Sequence, residues 1–271
     1  MPTRRLKIPQ LYFACFMKNP LERFTSRVGN YVKYRPGYPR QIVDLLRSEC
    51  LLSDESVIAD IGSGTGILSE VFLKNGNIVM GIEPNAAMRT AGEQILEPYE
   101  KFVSIEGSAE SVRIPSNSVD FITAGQSFHW FDRIKAHAEF ARILKPDGWV
   151  VLIWNERRLH STPFLRAYEQ LLMRFGTDYV QVSQRNATEL IWEFFAPEVF
   201  KLKTLENRQE LDFDGLRGRL LSSSYIPEAG APNFRAMLVN LQEIFEAHKK
   251  HGHVSFDYDT RVFYGHLAAA K

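Results

Sequence analysis

The sequence contains little cysteine and almost no excess charge of either sign. Cys15 and Cys50 are the only cysteines among 271 residues, which is too few for a disulfide framework or a cysteine-based zinc site. The 33 basic and 32 acidic side chains leave a formal net charge of +1, so the long-range attraction between basic proteins and nucleic acids or anionic membranes is missing. We therefore expect a cytoplasmic protein with no metal site and no nucleic-acid or membrane partner.

The N-terminus also lacks a long apolar run. Arg4, Arg5 and Lys7 precede an apolar stretch at residues 11–17, which is about half the length of a membrane span and has no clean small-residue cleavage site. Residues 1–35 are therefore predicted to form an irregular leader segment rather than a signal peptide.

The rest of the sequence has the composition of an ordinary globular protein, with 45% hydrophobic and 24% charged residues. A helix is predicted after Pro39, and short apolar runs then alternate with segments of helical periodicity. The predicted strands are 57–61, 77–83, 101–105, 119–124 and 149–154, with helices at 67–74, 86–96 and 132–144 and a turn at 145–148. This alternation is typical of parallel βαβ units whose sheet is covered by helices on both faces.

The pattern changes after residue 155. A helix is predicted to begin at Thr162-Pro163, followed by an extended segment at 200–213, a mostly helical region at 216–250 and an alternating strand at 254–264. We expect three parts in all. They are the leader 1–35, a core 36–160, and a C-terminal part 161–271 that completes the sheet and carries a helical cap at about 214–250.

The strongest single motif joins the first predicted strand to the helix that follows it. Residues 57–66 read Val-Ile-Ala-Asp-Ile-Gly-Ser-Gly-Thr-Gly. Glycines let the backbone turn sharply and approach a ligand closely, and ligands of open α/β sheets bind at the carboxyl ends of the strands. Asp60 lies at that strand end, where its carboxylate could bind an ammonium group or accept N–H bonds from the loop. Asp60, Gly62, Ser63 and Gly64 are therefore candidate ligand-binding residues.

A second acidic residue, Glu83, ends the next predicted strand, 21 residues after Gly62 (83 − 62). An acidic side chain at this distance can accept hydrogen bonds from both hydroxyls of a ribose. The same features also fit a dinucleotide enzyme, or a glycine turn without a ligand. The loop Gly-Ser-Gly-Thr-Gly is not Gly-x-Gly-x-x-Gly, however, and Asp60 favours a ligand that bears an amino acid group over a diphosphate.

Three segments together resemble the class I S-adenosylmethionine (SAM)-dependent methyltransferases. They are Ala-Asp-Ile-Gly-Ser-Gly-Thr-Gly at 59–66, Gly-Ile-Glu-Pro at 81–84 and Arg-Ile-Leu-Lys-Pro-Asp-Gly-Trp at 142–149. The resemblance covers roughly residues 30–155. It implies SAM as the cofactor and an α/β, Rossmann-like fold: a seven-stranded, mostly parallel sheet with helices on both faces, an antiparallel last strand and a helical cap.

The resemblance also implies roles for individual residues. Gly62 and Gly64 would flank the methionine part of SAM, and Glu83 would bind its ribose. Further residues would line the cofactor site from the ends of the second, third and fourth strands: Pro84, Ser108, Ala109, Glu110 and Gln126. Of these, Ser108, Ala109 and Glu110 would border the adenine, although Gly107 stands where many family members carry an acidic residue.

The segment Tyr-Val-Lys-Tyr-Arg-Pro-Gly-Tyr-Pro at 31–39 resembles one found in the methyltransferase type 11 group around trans-aconitate methyltransferase. There it folds over the cofactor, which implies that Tyr34 and Arg35 contact the methionine carboxylate or the substrate. A surface turn built by two prolines is the alternative.

Methyl transfer from a sulfonium is an in-line displacement in which the protein supplies position and electrostatics, and a base is needed only for some acceptors. His129, just after the fourth predicted strand, is the candidate base. The alternative is a histidine that packs and orders its loop. Trp130 and Trp154 are candidate pocket walls.

Arg157 and Arg158 follow the fifth predicted strand, and with Arg35 they could form a basic pocket for an anionic substrate, which Tyr225 of the cap could reach. Solvated surface arginines are the alternative. The sequence thus predicts a transferase (EC 2.1.1.-) that methylates a small molecule, with a carboxylate as one candidate, and that is a monomer or homodimer. A SAM-binding protein without turnover and a nicotinamide-dependent oxidoreductase are the other possibilities.

Overall fold

The computed structural model describes residues 28–177, 179, 187–223 and 225–268. Most of the predicted leader, residues 1–27, lies outside this range. The end of that leader was expected to be irregular, but residues Val28–Tyr34 form helix α1. The prediction was wrong there because the two residues that disfavour a helix, Pro36 and Pro39, both lie after the end of α1.

The described strands form one seven-stranded sheet in the order β3-β2-β1-β4-β5-β7-β6. Strands β1 to β5 are parallel, and β7 lies antiparallel between β5 and β6. This is the predicted fold class with its antiparallel last strand. The strands are β1 Val57–Ile61, β2 Ile78–Ile82, β3 Phe102–Ile105, β4 Val119–Gly125, β5 Leu144–Arg157, β6 Phe200–Leu211 and β7 Val254–Gly265.

Helices cover both faces of the sheet because the strand side chains alternate between two apolar clusters. Val151 and Ile153 of β5 belong to one cluster, whereas Val150 and Leu152 belong to the other, and all four are fully buried. After α1, the described α-helices are α2 Gln41–Cys50, α3 Ile67–Leu73, α4 Ala86–Leu96, α5 Arg133–Ile143, α6 Pro163–Phe175, α7 Ala187–Phe195, α8 Phe213–Leu221 and α9 Phe234–His248.

Local capping explains why several helices begin where the sequence predicts. The Asn85 side chain accepts a hydrogen bond from the backbone N–H of Met88 at 3.0 Å, and α4 has the predicted bounds. Thr162 caps α6 in the same way through the N–H of Leu165 at 3.1 Å, with Pro163 at the first helical position.

Strand β5 begins earlier than predicted. The Lys-Pro-Asp-Gly segment at 145–148 was expected to be a turn before a strand starting at Trp149, but β5 already begins at Leu144. The chain does bend there. Asp147 has a φ of +61°, and the register with β4 shifts between the pairs Val119–Leu144 and Phe121–Trp149. The turn residues therefore form an irregularity inside a long strand rather than a boundary.

A third apolar cluster lies beyond the tips of the parallel strands. Strand β7 pairs with β6 from Val254 onwards but with β5 only from Tyr258 onwards. The β6–β7 pair therefore extends past the end of β5. Helices α8 and α9, which we call the helical cap, pack with α6 around Phe256 and Tyr258 of this extension. None of the helices within the described ranges combines the length and apolar character that crossing a membrane requires.

Candidate functional site

The glycine loop after β1 is held against the tip of β2. The backbone N–H groups of Gly62 and Ser63 both donate to the carbonyl oxygen of Ile82, at 2.8 and 3.1 Å. Gly62 has a φ of +68°, and a Cβ atom at this position would lie 2.7 Å from the Cβ of Ser127. Backbone conformation and lack of space therefore both require glycine here.

Glu83 is almost fully buried beside this loop and receives a backbone hydrogen bond on each carboxylate oxygen. Gly64 N–H donates to Oε2 at 2.9 Å, and Asn85 N–H donates to Oε1 at 2.8 Å. Burial raises the pKa of Glu83, and these two hydrogen bonds oppose that rise. Each oxygen has a second lone pair, so the carboxylate can still accept bonds from a ligand hydroxyl.

Asp60 is the second buried carboxylate at this edge of the sheet. Its Oδ2 accepts from Ser69 Oγ at 2.6 Å, and its Oδ1 accepts from Thr123 Oγ1 at 3.0 Å. Burial raises the pKa of Asp60 to about 6, despite these hydrogen bonds. A small change in surroundings, such as a cation bound nearby, would therefore decide its charge near neutral pH.

Gln126, at the end of β4, has a φ of +56°, which few residues other than glycine adopt. Its backbone N–H donates to Ile153 O at 2.9 Å, and its side-chain Nε2 donates to Asn155 O at 3.1 Å. The tips of β4 and β5 are thereby joined. Gln126, Asn155 and Asp60 line one cavity with the loop Gly62–Gly64.

Residues 34–38, which we call the strap, contribute to the lining of this cavity and are hydrogen-bonded to strands β5 and β6. The carbonyl oxygen of Tyr34 accepts a hydrogen bond from Gln209 Nε2 at 3.0 Å. That of Gly37 accepts from Asn155 and Asn207 side-chain amides at 3.1 and 2.8 Å. Arg35 lines the cavity and donates to the carbonyl oxygen of Ser222 at 3.0 Å. Tyr34 and Arg35, which were predicted together, therefore lie in a segment that contacts β6 and the cap. This segment also lines the same cavity as the glycine loop.

The residues predicted after β3 do not line this cavity. Ser108 pairs with Ser111 in an isolated bridge, and Ala109 is buried in the apolar core. Glu110 accepts a hydrogen bond from the backbone N–H of Asp132 at 2.8 Å. Pro84 is exposed beside Glu83.

The aromatic residues after β4 and β5 have separate environments. His129 and Trp130 belong to a short 3-10 helix, Phe128–Trp130, in which their rings lie 4.6 Å apart and both are half-buried. Trp154 is buried and packs edge-on against Phe128 and Phe263, at centroid distances of 6.1 and 5.9 Å. Trp154 is therefore part of the core rather than of the cavity wall.

Arg157 and Arg158 are paired with carboxylates. The Arg157 guanidinium is buried against Glu169 and also donates to the Tyr179 hydroxyl at 3.0 Å. Arg158 is one-third exposed and bonds to Asp259 at 2.7 Å and Glu206 at 3.1 Å. Neither arginine lines the cavity.

Several cavity residues were not predicted from the sequence, among them Tyr38, Asn155 and Arg219. Tyr38 and Asn155 carried a usable signal, because one belongs to the segment at 31–39 and the other ends an apolar strand. Arg219 carried none, since an arginine within a predicted helix is usually a surface residue.

The cavity has the features that SAM requires. Thr65 Oγ1 lines it and is buried without a hydrogen-bond partner in the described part of the chain. Glu83 lies beside the glycine loop, and each of its carboxylate oxygens keeps a lone pair that a ribose hydroxyl could use. Within the described residues, no group of three or more His, Cys, Asp or Glu side chains is arranged to hold a metal ion.

Known proteins that are similar to this chain are described as methyltransferases. Residues 59–152 match a family model described as methyltransferase domain. An uncharacterized methyltransferase of Schizosaccharomyces pombe is 33% identical over 154 residues, which are 55% of this chain and 58% of that protein. One from Mycobacterium tuberculosis is 33% identical over 143 residues, 53% of this chain and 56% of that protein. The chain thus spans less than two thirds of the length of these relatives.

Solved structures share the fold. A protein from Anaeromyxobacter dehalogenans, provisionally assigned as a type II methyltransferase, has a TM-score of 0.65 at 19% identity, covering 88% of this chain and all of that one. The YcgJ protein from Bacillus subtilis has a TM-score of 0.54 at 19% identity, covering 86% of this chain and all of that one. At such identities the likeness concerns the fold alone. Residues 59–152 therefore resemble a methyltransferase domain, and the described chain shares the fold of these solved structures.

Proposed function

We propose that this chain transfers the methyl group of SAM to a small-molecule acceptor by in-line displacement. One observation carries the proposal: the loop Gly62–Gly64, Asp60 and Gln126 line a single cavity together with residues of the strap. SAM supplies an electrophilic methyl group, so the protein must bind, orient and exclude water rather than provide a nucleophile.

The cofactor roles follow from the geometry of the buried carboxylates. Glu83 would accept hydrogen bonds from the ribose hydroxyls with the lone pairs that Gly64 and Asn85 leave free. Asp60 would face the methionine ammonium, because a buried carboxylate with a raised pKa gains most from a nearby cation. The remaining proposed contacts come from the strap, the loop and the ends of the strands: Tyr34, Arg35, Gly62, Ser63, Pro84, Ser108, Ala109, Glu110 and Gln126.

For the acceptor side, His129 remains the candidate base, because it is half-buried and lies three residues after Gln126. Trp130 and Tyr225 remain candidate contacts of the acceptor. Tyr225 lies near Arg35, Arg157 and Arg219. For Trp154, Arg157 and Arg158, burial in the core or pairing with carboxylates supports a structural role instead.

The division into leader, core and C-terminal part with a cap is also part of this proposal. The family match ends at residue 152, whereas the strap is held by side chains from 207 and 209. We therefore propose that the part after residue 160 closes the cofactor site and selects the acceptor. A closed cap would exclude polymers and water alike.

Two measurements test the function. Calorimetry should detect binding of S-adenosylhomocysteine (SAH) and no binding of NAD. Labelled SAM, supplied with pools of small acids, nucleic acid and protein extract, should then label mainly small molecules. Binding of NAD in place of SAH would favour an oxidoreductase, and SAH binding without turnover would favour a silent SAM-binding protein. Label found mainly in macromolecules would contradict a small acceptor.

Hydrogen exchange with and without SAH tests the cap. We expect slower exchange in α8 and around Tyr225 when SAH is bound, because the strap bonds to the carbonyl oxygen of Ser222 at the end of α8. Helix α5 has no residue that lines the cavity and serves as the reference for general stabilisation. Equal protection of both regions would argue against a closing cap.

A further inference from the structure

Arg219 is a buried cation without a carboxylate partner in the described part of the chain. It lies in the last turn of α8, is 6% exposed, and lines the same cavity as the glycine loop. Its contacts are with neutral hydroxyl groups, of Ser223 at 3.4 Å and of Tyr258. Its Nε atom is buried and has no hydrogen-bond partner among the described residues. Burying a guanidinium costs free energy unless an anion compensates it.

The surroundings of Arg219 add positive charge rather than cancel it. Tyr225 lies close enough to Arg219, Arg157 and Arg35 to respond to all three. Burial alone would raise the pKa of Tyr225, but the three guanidinium groups, together with a hydrogen bond with Ser223, outweigh burial and lower it. Of the three, Arg157 is matched by the buried carboxylate of Glu169. Arg35 and Arg219 are the two that line the cavity.

The cofactor supplies only one anionic group to this region. The methionine part of SAM carries one carboxylate, which Arg35 of the strap would bind under the proposed function. Arg219, which belongs to the cap, would then be a second cation in the same cavity, available to an anion other than the cofactor. A guanidinium is well suited to an oxyanion because it can donate two parallel hydrogen bonds.

We propose that Arg219 binds an anionic group of the methyl acceptor and thereby determines which acceptors are methylated. The inference rests on the proposed function, because it requires methyl transfer in this cavity. Helix α8 lies outside the residues that match the methyltransferase family model. The assignment thus places acceptor recognition outside the segment that carries the family match.

The test uses the full chain and a protein-free cell extract divided by an anion-exchange resin. Each fraction is incubated with labelled SAM and the parent protein. The acceptor is identified from its labelled product, and the unmethylated acceptor is then used to measure kinetic constants for the variants. Arg219→Gln removes the charge. Arg217→Gln is the matched control, because Arg217 is on the same helix, half-exposed and paired with Asp214 at 3.0 Å.

We expect label in the fraction that the resin retains. Arg219→Gln should raise KM for that acceptor about 10-fold or more and leave SAH affinity within threefold, whereas Arg217→Gln should change neither. If Arg219→Gln does not fold, Arg219→Lys should still raise the acceptor KM at least threefold, since it cannot donate two parallel bonds.

Three results would overturn the inference. They are label mainly in the unretained fraction, a parental acceptor KM in the folded Arg219 variant, and loss of SAH binding with acceptor KM unchanged. If the parent binds SAH but labels neither fraction, the proposed methyl transfer itself fails, and this inference fails with it.

Discussion

Glu83, at the tip of β2, is hydrogen-bonded to the backbone N–H of Gly64 in the loop after β1, with 2.9 Å between Gly64 N and Glu83 Oε2. The carboxylate proposed to bind the ribose therefore also fixes the loop proposed to surround the methionine part. Because the two ends of the cofactor site share this bond, changing Glu83 should affect the whole site rather than one contact.

Glu83→Ala should weaken SAH binding by about 1.5–3 kcal/mol, because charge-assisted hydrogen bonds to the ribose and the loop are both lost. Calorimetry measures this as a drop in affinity of roughly 10- to 150-fold. Glu97→Ala is the control, since Glu97 is exposed at the end of α4. Parental affinity in Glu83→Ala would exclude the ribose role.

Asp60 should make stability depend on pH in an unusual direction. Its folded pKa, about 6, lies above the ordinary value of 3.8, so the folded state holds the proton more tightly than the unfolded state. The resulting stabilisation is complete below about pH 4 and is lost as pH rises through 6, a change of about 3 kcal/mol. Asp60→Asn should lack it, so urea unfolding at pH 4 and pH 7.5 should differ less in the variant. The same pH dependence in both proteins would contradict the raised pKa.

The contact between Tyr34 and Gly218 provides a test of the strap. A Cβ at Gly218 would lie 2.0 Å from the Tyr34 ring, so Gly218→Ala must displace that ring. We expect a lower melting temperature and weaker SAH binding, although alanine normally favours a helix by up to about 1 kcal/mol. Adding Tyr34→Ala should restore part of the stability by removing the clash. Gly29→Ala, where a Cβ meets nothing within 4 Å, is the control.

Arg157 is expected to act on stability rather than on the acceptor. Its partner Glu169 is buried, so Arg157→Ala leaves an uncompensated buried charge and should cost about 3–5 kcal/mol in the free energy of unfolding. Arg158→Ala should cost no more than about 1 kcal/mol, because Arg158 and its partners are partly exposed. Denaturant unfolding of both variants measures the difference. An acceptor KM that rises in a stable Arg157→Ala protein would restore the substrate role inferred from the sequence.

The sequence was most informative where a local signal and the tertiary structure agree. Helix α4 has the predicted bounds because Asn85 caps it and its apolar periodicity is regular. The glycine loop and Glu83 were found because strand ends in a parallel sheet meet at one edge. At 145–148 the same kind of local reasoning failed, since a turn signal does not show whether the chain leaves the sheet or only bends within it.

Long-range pairing could not be deduced in this way. The sequence shows Arg157 and Arg158 beside the cleft, but their partners Glu169 and Asp259 are 12 and 101 residues away along the chain. Arg219 is the opposite case. Its sequence context predicts a surface residue of a helix. Only the packing of α8 against the paired strands β6 and β7 buries it at the cavity.

The strap has a consequence for how this protein can be divided. A fragment restricted to residues 59–152 would contain the glycine loop, Glu83 and Gln126, yet it would lack the strap itself and the side chains that bind its carbonyl oxygens. Asn155, Asn207 and Gln209, which hold the carbonyl oxygens of Gly37 and Tyr34, come from β5 and β6, and Gly218 comes from α8. The segment that matches the family is therefore smaller than the part of the chain that forms the cavity. Truncation to residues 59–152 would leave the cavity open to solvent on the side of the strap.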